Sequence, residues 1–120
     1  MHINELFAKN LSRCYRWHGE RGVHDWSALE WAAAMCGEAG EAANAAKKLK
    51  RLETSMQTIN EPGRHYFTLE EARTAVAKEV ADTIIYGLLL MARVGIADPE
   101  AIIREVYNKK SEEYGFPEKV

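Results

Sequence analysis

Residues that break or cross-link regular structure are scarce in this chain, which has three prolines and two cysteines among 120 residues. No stretch alternates apolar and polar residues as a half-buried strand does, and residues 27–52 contain no proline, which favours long helices. The cysteines, Cys14 and Cys36, lack CxxC spacing. We expect them to be free, buried thiols and not a disulfide.

The chain also lacks a strong charge of either sign, a long apolar run and a leader-like segment. Its formal net charge of −2 argues against binding a nucleic-acid polymer. The most apolar stretch, residues 83–92, is about half as long as a membrane span requires, so no membrane partner is expected. The first residues do not resemble a signal peptide. We therefore expect a cytoplasmic protein with one domain, residues 1–120, whose 47% hydrophobic content builds one core.

Apolar residues recur at steps of three and four along most of the chain, which is the period of amphipathic helices. Four helices are predicted, at about residues 4–17, 27–52, 68–94 and 99–114. Residues 18–25 contain two glycines and are predicted to form a loop. Residues 53–67 have no clear period and are interpreted as a long connection.

Capping residues support these boundaries. Asn4 is the expected N-cap of the first helix. Ser27-Ala28-Leu29-Glu30 and Thr68-Leu69-Glu70-Glu71 match capping boxes at the starts of the second and third helices. Asp98 followed by proline is typical of a helix start, and Gly95 of a helix end.

The predicted fold is all-α, a four-helix-bundle-like module with antiparallel helices. Beyond Asp82 the third helix is apolar on nearly every side, which is typical of a helix buried on several faces. A second subunit is the simplest source of that cover in so small a chain. We therefore expect a homodimer or homotetramer, with residues 84–91 at the subunit contact.

Two pairs of acidic residues lie among small and apolar neighbours. Glu38 and Glu41 are on the second predicted helix, Glu79 and Asp82 are on the third, and each pair has i, i+3 spacing, which directs both side chains to one face. If these helices pack antiparallel, the four carboxylates can converge. Two of them about 5.5 Å apart repel by about 3 kcal/mol at an effective dielectric constant of 20, so protonation or a cation is expected. Oxygen ligands favour Mg²⁺, with Mn²⁺ as a second choice.

Other readings of the acidic pairs and their neighbours exist. Each pair alone is also typical of a solvated acidic helix face. A di-iron bundle needs Glu-x-x-His, which neither Glu38 nor Glu79 provides, and all four histidines lie outside the predicted helix interiors, which also argues against zinc. Gly37 and Gly40 lie within a helix, and no Lys-Ser/Thr follows them as in a phosphate-binding loop. We interpret Cys36 as a structural thiol and not a nucleophile.

The chain resembles the MazG-like, all-α nucleoside triphosphate pyrophosphohydrolases from about residue 26 to residue 117. The matching pattern is Trp26…Gly37-Glu38-Ala39-Gly40-Glu41…Glu79-Val80-Ala81-Asp82…Asn108-Lys109…Tyr114-Gly115-Phe116-Pro117. Its most specific part is ExxE on one helix with ExxD on the next. The resemblance implies a helical module that assembles as a dimer or tetramer and requires Mg²⁺. It further implies cleavage of an NTP or dNTP between the α and β phosphates to give the monophosphate and pyrophosphate.

By this resemblance, the metal ligands and catalytic residues are Glu38, Glu41, Glu79 and Asp82. Asn108 and Lys109 match the region in which the family carries phosphate-binding residues. Lys48, seven positions after Glu41, is a further candidate for phosphate binding, with a solvated lysine as the alternative. Trp26 and Trp31 are candidates for stacking on the nucleotide, with core packing as the alternative.

The function predicted from the sequence is Mg²⁺-dependent hydrolysis of a nucleoside triphosphate to the monophosphate and pyrophosphate by an activated water molecule. One alternative is a related all-α dUTPase or phosphoribosyl-ATP pyrophosphohydrolase, which has a similar acidic metal site. Another is a non-catalytic helical dimerisation domain whose acidic residues bind no substrate.

Overall fold

The computed structural model describes residues 1–54 and 68–120. These residues form helices that pack against one another, with no strand among them, so the all-α prediction is confirmed. The elements are α1 (Ile3–His18), a 3₁₀ segment (Gly19–Asp25), α2 (Ala28–Glu53), α3 (Leu69–Arg93) and α4 (Pro99–Tyr114). Each predicted helix end lies within one residue of the observed one. The predicted connection of residues 53–67 lies outside the described residues except for Glu53 and Thr54.

Local capping explains most of these helix ends. The backbone N–H of Glu71 donates to Thr68 Oγ1 (3.1 Å) at the start of α3, as the capping-box sequence predicts. At the end of α3, Gly95 has a φ of +89°, and the N–H of Ile96 donates to the carbonyl of Met91. That bond belongs to a Schellman motif, which needs a left-handed residue that glycine adopts without strain.

The predicted N-cap role of Asn4 is wrong. α1 begins one residue earlier, with His2 at its N-cap, and the Asn4 side chain instead contacts the start of α4. Asn4 Nδ2 donates to Asp98 Oδ1 (2.8 Å), and Asn4 Oδ1 accepts from the N–H of Glu100 (3.1 Å). Asp98 also accepts from the N–H of Ala101 (3.0 Å), so its own predicted role as N-cap of α4 is confirmed.

The predicted loop at residues 18–25 is instead a compact 3₁₀ segment. It turns sharply at Gly22, where φ is +52° and an added Cβ would lie 2.6 Å from the Tyr15 ring. The segment is held by His18 Nδ1, 3.1 Å from Asp25 Oδ2, and by Arg21, which donates to the carbonyl of His24. These side-chain contacts are not visible as a periodic sequence pattern.

The chain divides into two compact units, Met1–Ala28 with Leu88–Val120, and Leu29–Gly87. In the first unit, α1 packs against the 3₁₀ segment and α4. The buried apolar side chains of this unit are Phe7, Cys14, Val23, Leu88 and Leu89. No helix in the described part of the chain is long and apolar enough to cross a membrane.

In the second unit, α2 and α3 share a core around Trp31. This side chain is 1% exposed, and its ring centroid lies 6.2 Å from that of Tyr86. Farther along the same two helices, an added Cβ at Gly87 would lie 3.4 Å from the Met35 sulfur. Ala72, 4% exposed, is also buried among the described residues of this unit.

Two features of α2 differ from what its sequence suggests. Small residues such as those beside Glu38 and Glu41 are typical of closely packed helices, yet a Cβ added at Gly37 or Gly40 would meet nothing within 4 Å. Both cysteines were expected to be buried, but only Cys14 is, and Cys36 is exposed. Cys36, Gly37 and Gly40 therefore share an exposed face of α2.

The Asn4 contact gives a prediction about acid stability. The pKa of the Asp98 carboxyl is lowered, first by the Asn4 hydrogen bond and then by the N–H of Ala101. A lowered pKa stabilises the fold above the ordinary value of 3.8, and this stabilisation is lost as the pH falls through the folded-state pKa. Asn4→Ala should lower the free energy of unfolding by about 1 kcal/mol at neutral pH and move the Asp98 pKa up.

Urea unfolding and an NMR titration of the Asp98 carboxyl measure both effects. The control is His2→Ala, because the His2 side chain makes no capping hydrogen bond. Equal losses of stability in both variants would contradict the role assigned to Asn4.

Candidate functional site

Helices α2 and α3 bring three carboxylates together. Glu38 and Glu41 lie one turn apart on α2, and Glu79 lies on α3. One oxygen from each of the three groups lies within 4.8 Å of the others. The Glu41 carboxyl is a neighbour of both Glu38 and Glu79 and raises the pKa of each. Carboxylates this close do not all ionise without compensation, which a proton or a cation supplies.

Two carboxyls of the cluster have pKa values raised above the ordinary value. Partial burial raises the pKa of Glu38, and the charges of Glu41 and Asp82 raise it further. The pKa of Glu79 is also raised, first by partial burial and then by the neighbouring carboxyl of Glu41. Burial is thus the first cause of both shifts, and the other carboxyls of the cluster add to it.

Asp82 was predicted as the fourth metal ligand. Its oxygens are not among the three that converge within 4.8 Å, but its charge contributes to the raised pKa of both Glu38 and Glu79. Asp82 therefore lies near enough to act electrostatically on the cluster. Its role as a direct ligand stays a prediction.

The donor set fits a hard divalent cation. All three converging groups supply carboxylate oxygen, which Mg²⁺ and Mn²⁺ prefer, and no histidine or cysteine of the described residues belongs to this cluster. Glu38, Glu41 and Glu79 are therefore the residues that would hold such a cation.

A cleft of about 390 Å³ continues from the acidic cluster. It shares Glu41 and Glu79 with the cluster and runs beside the predicted phosphate-binding residue Lys48. Its remaining lining residues are Asn44, Ala45, Ala72 and Ala75. Sequence reasoning missed Asn44, although its position three residues after Glu41 places it on the same face of α2.

The predicted tryptophans differ in their exposure. Trp31 is almost fully buried in the α2–α3 core, which agrees with the core-packing alternative. Trp26 is half-buried, and its ring meets that of His18 edge-on at 4.9 Å. Its carbonyl accepts a hydrogen bond from Arg93 Nε (2.8 Å). Substrate stacking by either ring stays a prediction.

Asn108 and Lys109, the other predicted phosphate-binding residues, belong to the first compact unit. The Asn108 amide is engaged with the backbone of Val120: its Nδ2 donates to the carbonyl (3.1 Å), and its Oδ1 accepts from the N–H (2.9 Å). Lys109 is exposed on α4. Phosphate binding by these two residues stays a prediction.

The two thiols have different surroundings. Burial raises the pKa of the Cys14 thiol, and the charge of Asp25 raises it further, so Cys14 stays protonated and unreactive at neutral pH. Cys36 is exposed on α2, two positions before Glu38. It is therefore not the buried structural thiol that we expected.

The raised pKa values give a second prediction. A carboxyl whose pKa is raised on folding destabilises the folded state above its ordinary value of 4.5, and this penalty disappears as the pH falls below that value. In the absence of divalent cations, Glu38→Gln and Glu79→Gln should therefore raise Tm at pH 7 and leave it unchanged at pH 3.5.

Adding Mg²⁺ should reverse the order at pH 7, because a cation that binds the folded state stabilises the unaltered protein more than the variants. Differential scanning calorimetry with and without Mg²⁺ measures both effects. The control is Glu105→Gln, which removes the same charge from an exposed position on α4. A gain in Tm that is independent of pH would show that charge repulsion in the cluster is not its cause.

Comparison with known proteins gave no assignment. No protein-family model, curated protein or solved structure matches the chain. The resemblance to MazG-like pyrophosphohydrolases therefore stays a prediction from the sequence motifs, and the function has to be argued from the acidic cluster and the cleft beside it.

Proposed function

We propose that this protein is a Mg²⁺-dependent nucleotide pyrophosphohydrolase that cleaves an NTP or dNTP between the α and β phosphates. The observation that carries the proposal is the convergence of Glu38, Glu41 and Glu79 within 4.8 Å at the edge of a cleft. A cluster of this charge attracts a divalent cation, and the adjoining Lys48 attracts phosphate. The ExxE and ExxD motifs favour the same reaction by resemblance.

The proposed reaction is a hydrolysis. A water molecule adds to the α phosphorus, the bond from that phosphorus to the oxygen bridging the β phosphate breaks, and its electron pair leaves with pyrophosphate. The water gives a proton to a carboxylate of the cluster. Bound Mg²⁺ supplies positive charge that offsets the charge developing on the phosphate oxygens.

We propose that α2 and α3 run antiparallel, as residues on the two helices pair in opposite order. Trp31 lies beside Tyr86 and Glu41 beside Glu79, while Lys48, farther along α2, shares a cleft with Ala72, farther back along α3. An antiparallel arrangement places the ExxE face of α2 opposite the ExxD face of α3. The cleft then runs along both helices.

A homodimer or homotetramer is part of the proposal. Helix α4 exposes an apolar stripe with helical spacing, formed by Ile103, Val106, Tyr107 and Tyr114. On α3, Ile84 is 48% exposed, whereas Leu88 and Leu89 of the same predicted contact are buried within the chain. Aligned apolar side chains of this kind favour a protein contact.

The activity prediction uses two substitutions in the cluster. Glu41→Gln and Glu79→Gln should each lower pyrophosphate release by at least about a hundredfold, because each removes a carboxylate that would hold Mg²⁺, whose positive charge offsets the phosphate charge. The measurement is pyrophosphate release with Mg²⁺ across the common NTPs and dNTPs, with dUTP and phosphoribosyl-ATP included. Circular dichroism checks that the variants stay helical, and Glu105→Gln is the control for charge removal.

The panel also separates the alternatives. Turnover confined to dUTP or to phosphoribosyl-ATP would assign one of the narrower enzymes. No pyrophosphate from any nucleotide would favour the non-catalytic dimerisation domain. Full turnover by Glu41→Gln or Glu79→Gln would overturn the role assigned to the cluster.

The assembly prediction concerns the mass in solution. The protein should sediment as a dimer or tetramer at micromolar concentration, and Ile84→Glu or Val106→Glu should shift it towards monomer, because burying an unpaired charge at a contact is unfavourable. The control is Glu105→Lys, a charge change on α4 outside the apolar stripe. A monomeric mass for the unaltered protein would refute the subunit contact.

A further inference from the structure

The cleft beside the acidic cluster has two chemically different ends. One end is formed by Glu41 and Glu79, and the other is next to Lys48. Seven residues of helix separate Glu41 from Lys48, about 10 Å at 1.5 Å per residue. Asn44 and Lys48 lie about one turn apart on α2, and both line this part of the cleft.

The described lining of the second end offers no stacking face for a nucleobase. Its apolar side chains, Ala45, Ala72 and Ala75, are all methyl groups, and no described lining residue carries an aromatic ring. Its polar groups are the Lys48 ammonium, with three N–H donors, and the Asn44 amide, with two N–H donors and one accepting carbonyl oxygen. N–H donors beside small side chains fit a chain of phosphate oxygens, which are all acceptors.

We propose that Asn44 and Lys48 bind the β and γ phosphates, so that the substrate lies in the cleft in one direction. The inference rests on the proposed function. The leaving pyrophosphate points towards the second half of α2, and the nucleoside lies on the Glu38 side of the cluster. When the bond to the α phosphorus breaks, the negative charge that leaves with pyrophosphate is met by the Lys48 ammonium.

This direction has a consequence for substrate choice. A nucleoside diphosphate has one phosphoryl group fewer beyond the α phosphorus, so it loses the contact farthest from the cluster. The site therefore selects triphosphates over diphosphates through Lys48. The choice of base is made elsewhere, because the nucleoside does not reach the Asn44–Lys48 end.

The experiment compares Lys48→Gln with Lys47→Gln. Both remove one positive charge from neighbouring exposed positions of α2, but only Lys48 lines the cleft. The first measurement is calorimetric binding of inorganic tripolyphosphate with Mg²⁺ at 150 mM salt, which requires no turnover. The second is the ratio of kcat/KM for an NTP to that for the NDP of the same base. Lys48→Arg tests rescue by a retained charge, and circular dichroism checks the fold.

We expect Lys48→Gln to weaken tripolyphosphate binding by about tenfold to a hundredfold, the usual effect of losing a hydrogen bond between charged groups. The NTP to NDP ratio should fall by a similar factor, since NDP turnover changes little. Lys47→Gln should leave both quantities unchanged, and Lys48→Arg should restore most of the binding.

The outcomes separate this inference from the proposed function. One outcome is that the protein hydrolyses nucleotides, but Lys48→Gln changes neither tripolyphosphate binding nor the NTP to NDP ratio of kcat/KM. This outcome would overturn the inference and leave the proposed pyrophosphohydrolase activity standing. Lys48-dependent binding of tripolyphosphate without hydrolysis of any nucleotide would support the phosphate-binding end and overturn the proposed function. No binding of tripolyphosphate by the unaltered protein at millimolar concentration would overturn the inference directly.

Discussion

Mutual repulsion among the carboxylates on α2 and α3 is the constraint on which the candidate site depends. Glu38, Glu41 and Glu79 place oxygens within 4.8 Å, and Asp82 adds its charge from nearby. Like charges at this spacing cannot all ionise without compensation. Protonation or a cation would supply that compensation, and both depend on pH.

The surrounding structure holds these opposed groups in place by burying apolar side chains on the same two helices. Trp31 packs near Tyr86, and Ala72 is buried beside the cleft, so the backbone positions of the acidic residues are set by packing that owes nothing to charge. Such preorganisation is what a metal site requires, because the ligands are in position before the cation arrives. Holding these carboxyls close together and partly buried raises the pKa of Glu38 and Glu79.

In the second compact unit, the cleft begins at the acidic cluster. It has negative charge at that end and the N–H donors of Asn44 and Lys48 at the other. This order suits a ligand that carries several phosphates and a divalent cation, because the cation offsets the repulsion between phosphates and carboxylates. Asn44 and Lys48 lie on the face of α2 that also carries Glu41. A helical period of 3.6 residues thus places Glu41, Asn44 and Lys48, the residues of the proposed metal and phosphate sites, along one line of α2.

The sequence alone determined the helix boundaries, because the residues that set them act within a few positions of each helix end. They are the capping boxes, the proline at the start of α4 and the glycines at helix ends. It also indicated the acidic pairs, because i, i+3 spacing has the same meaning in any helix. Only the tertiary structure decided that Asn4 contacts Asp98 rather than capping α1, that three carboxylates converge closely, and that Asn44 belongs to the cleft. These contacts depend on which helices pack together and on their relative register. Both are set by packing between residues that lie far apart in the chain.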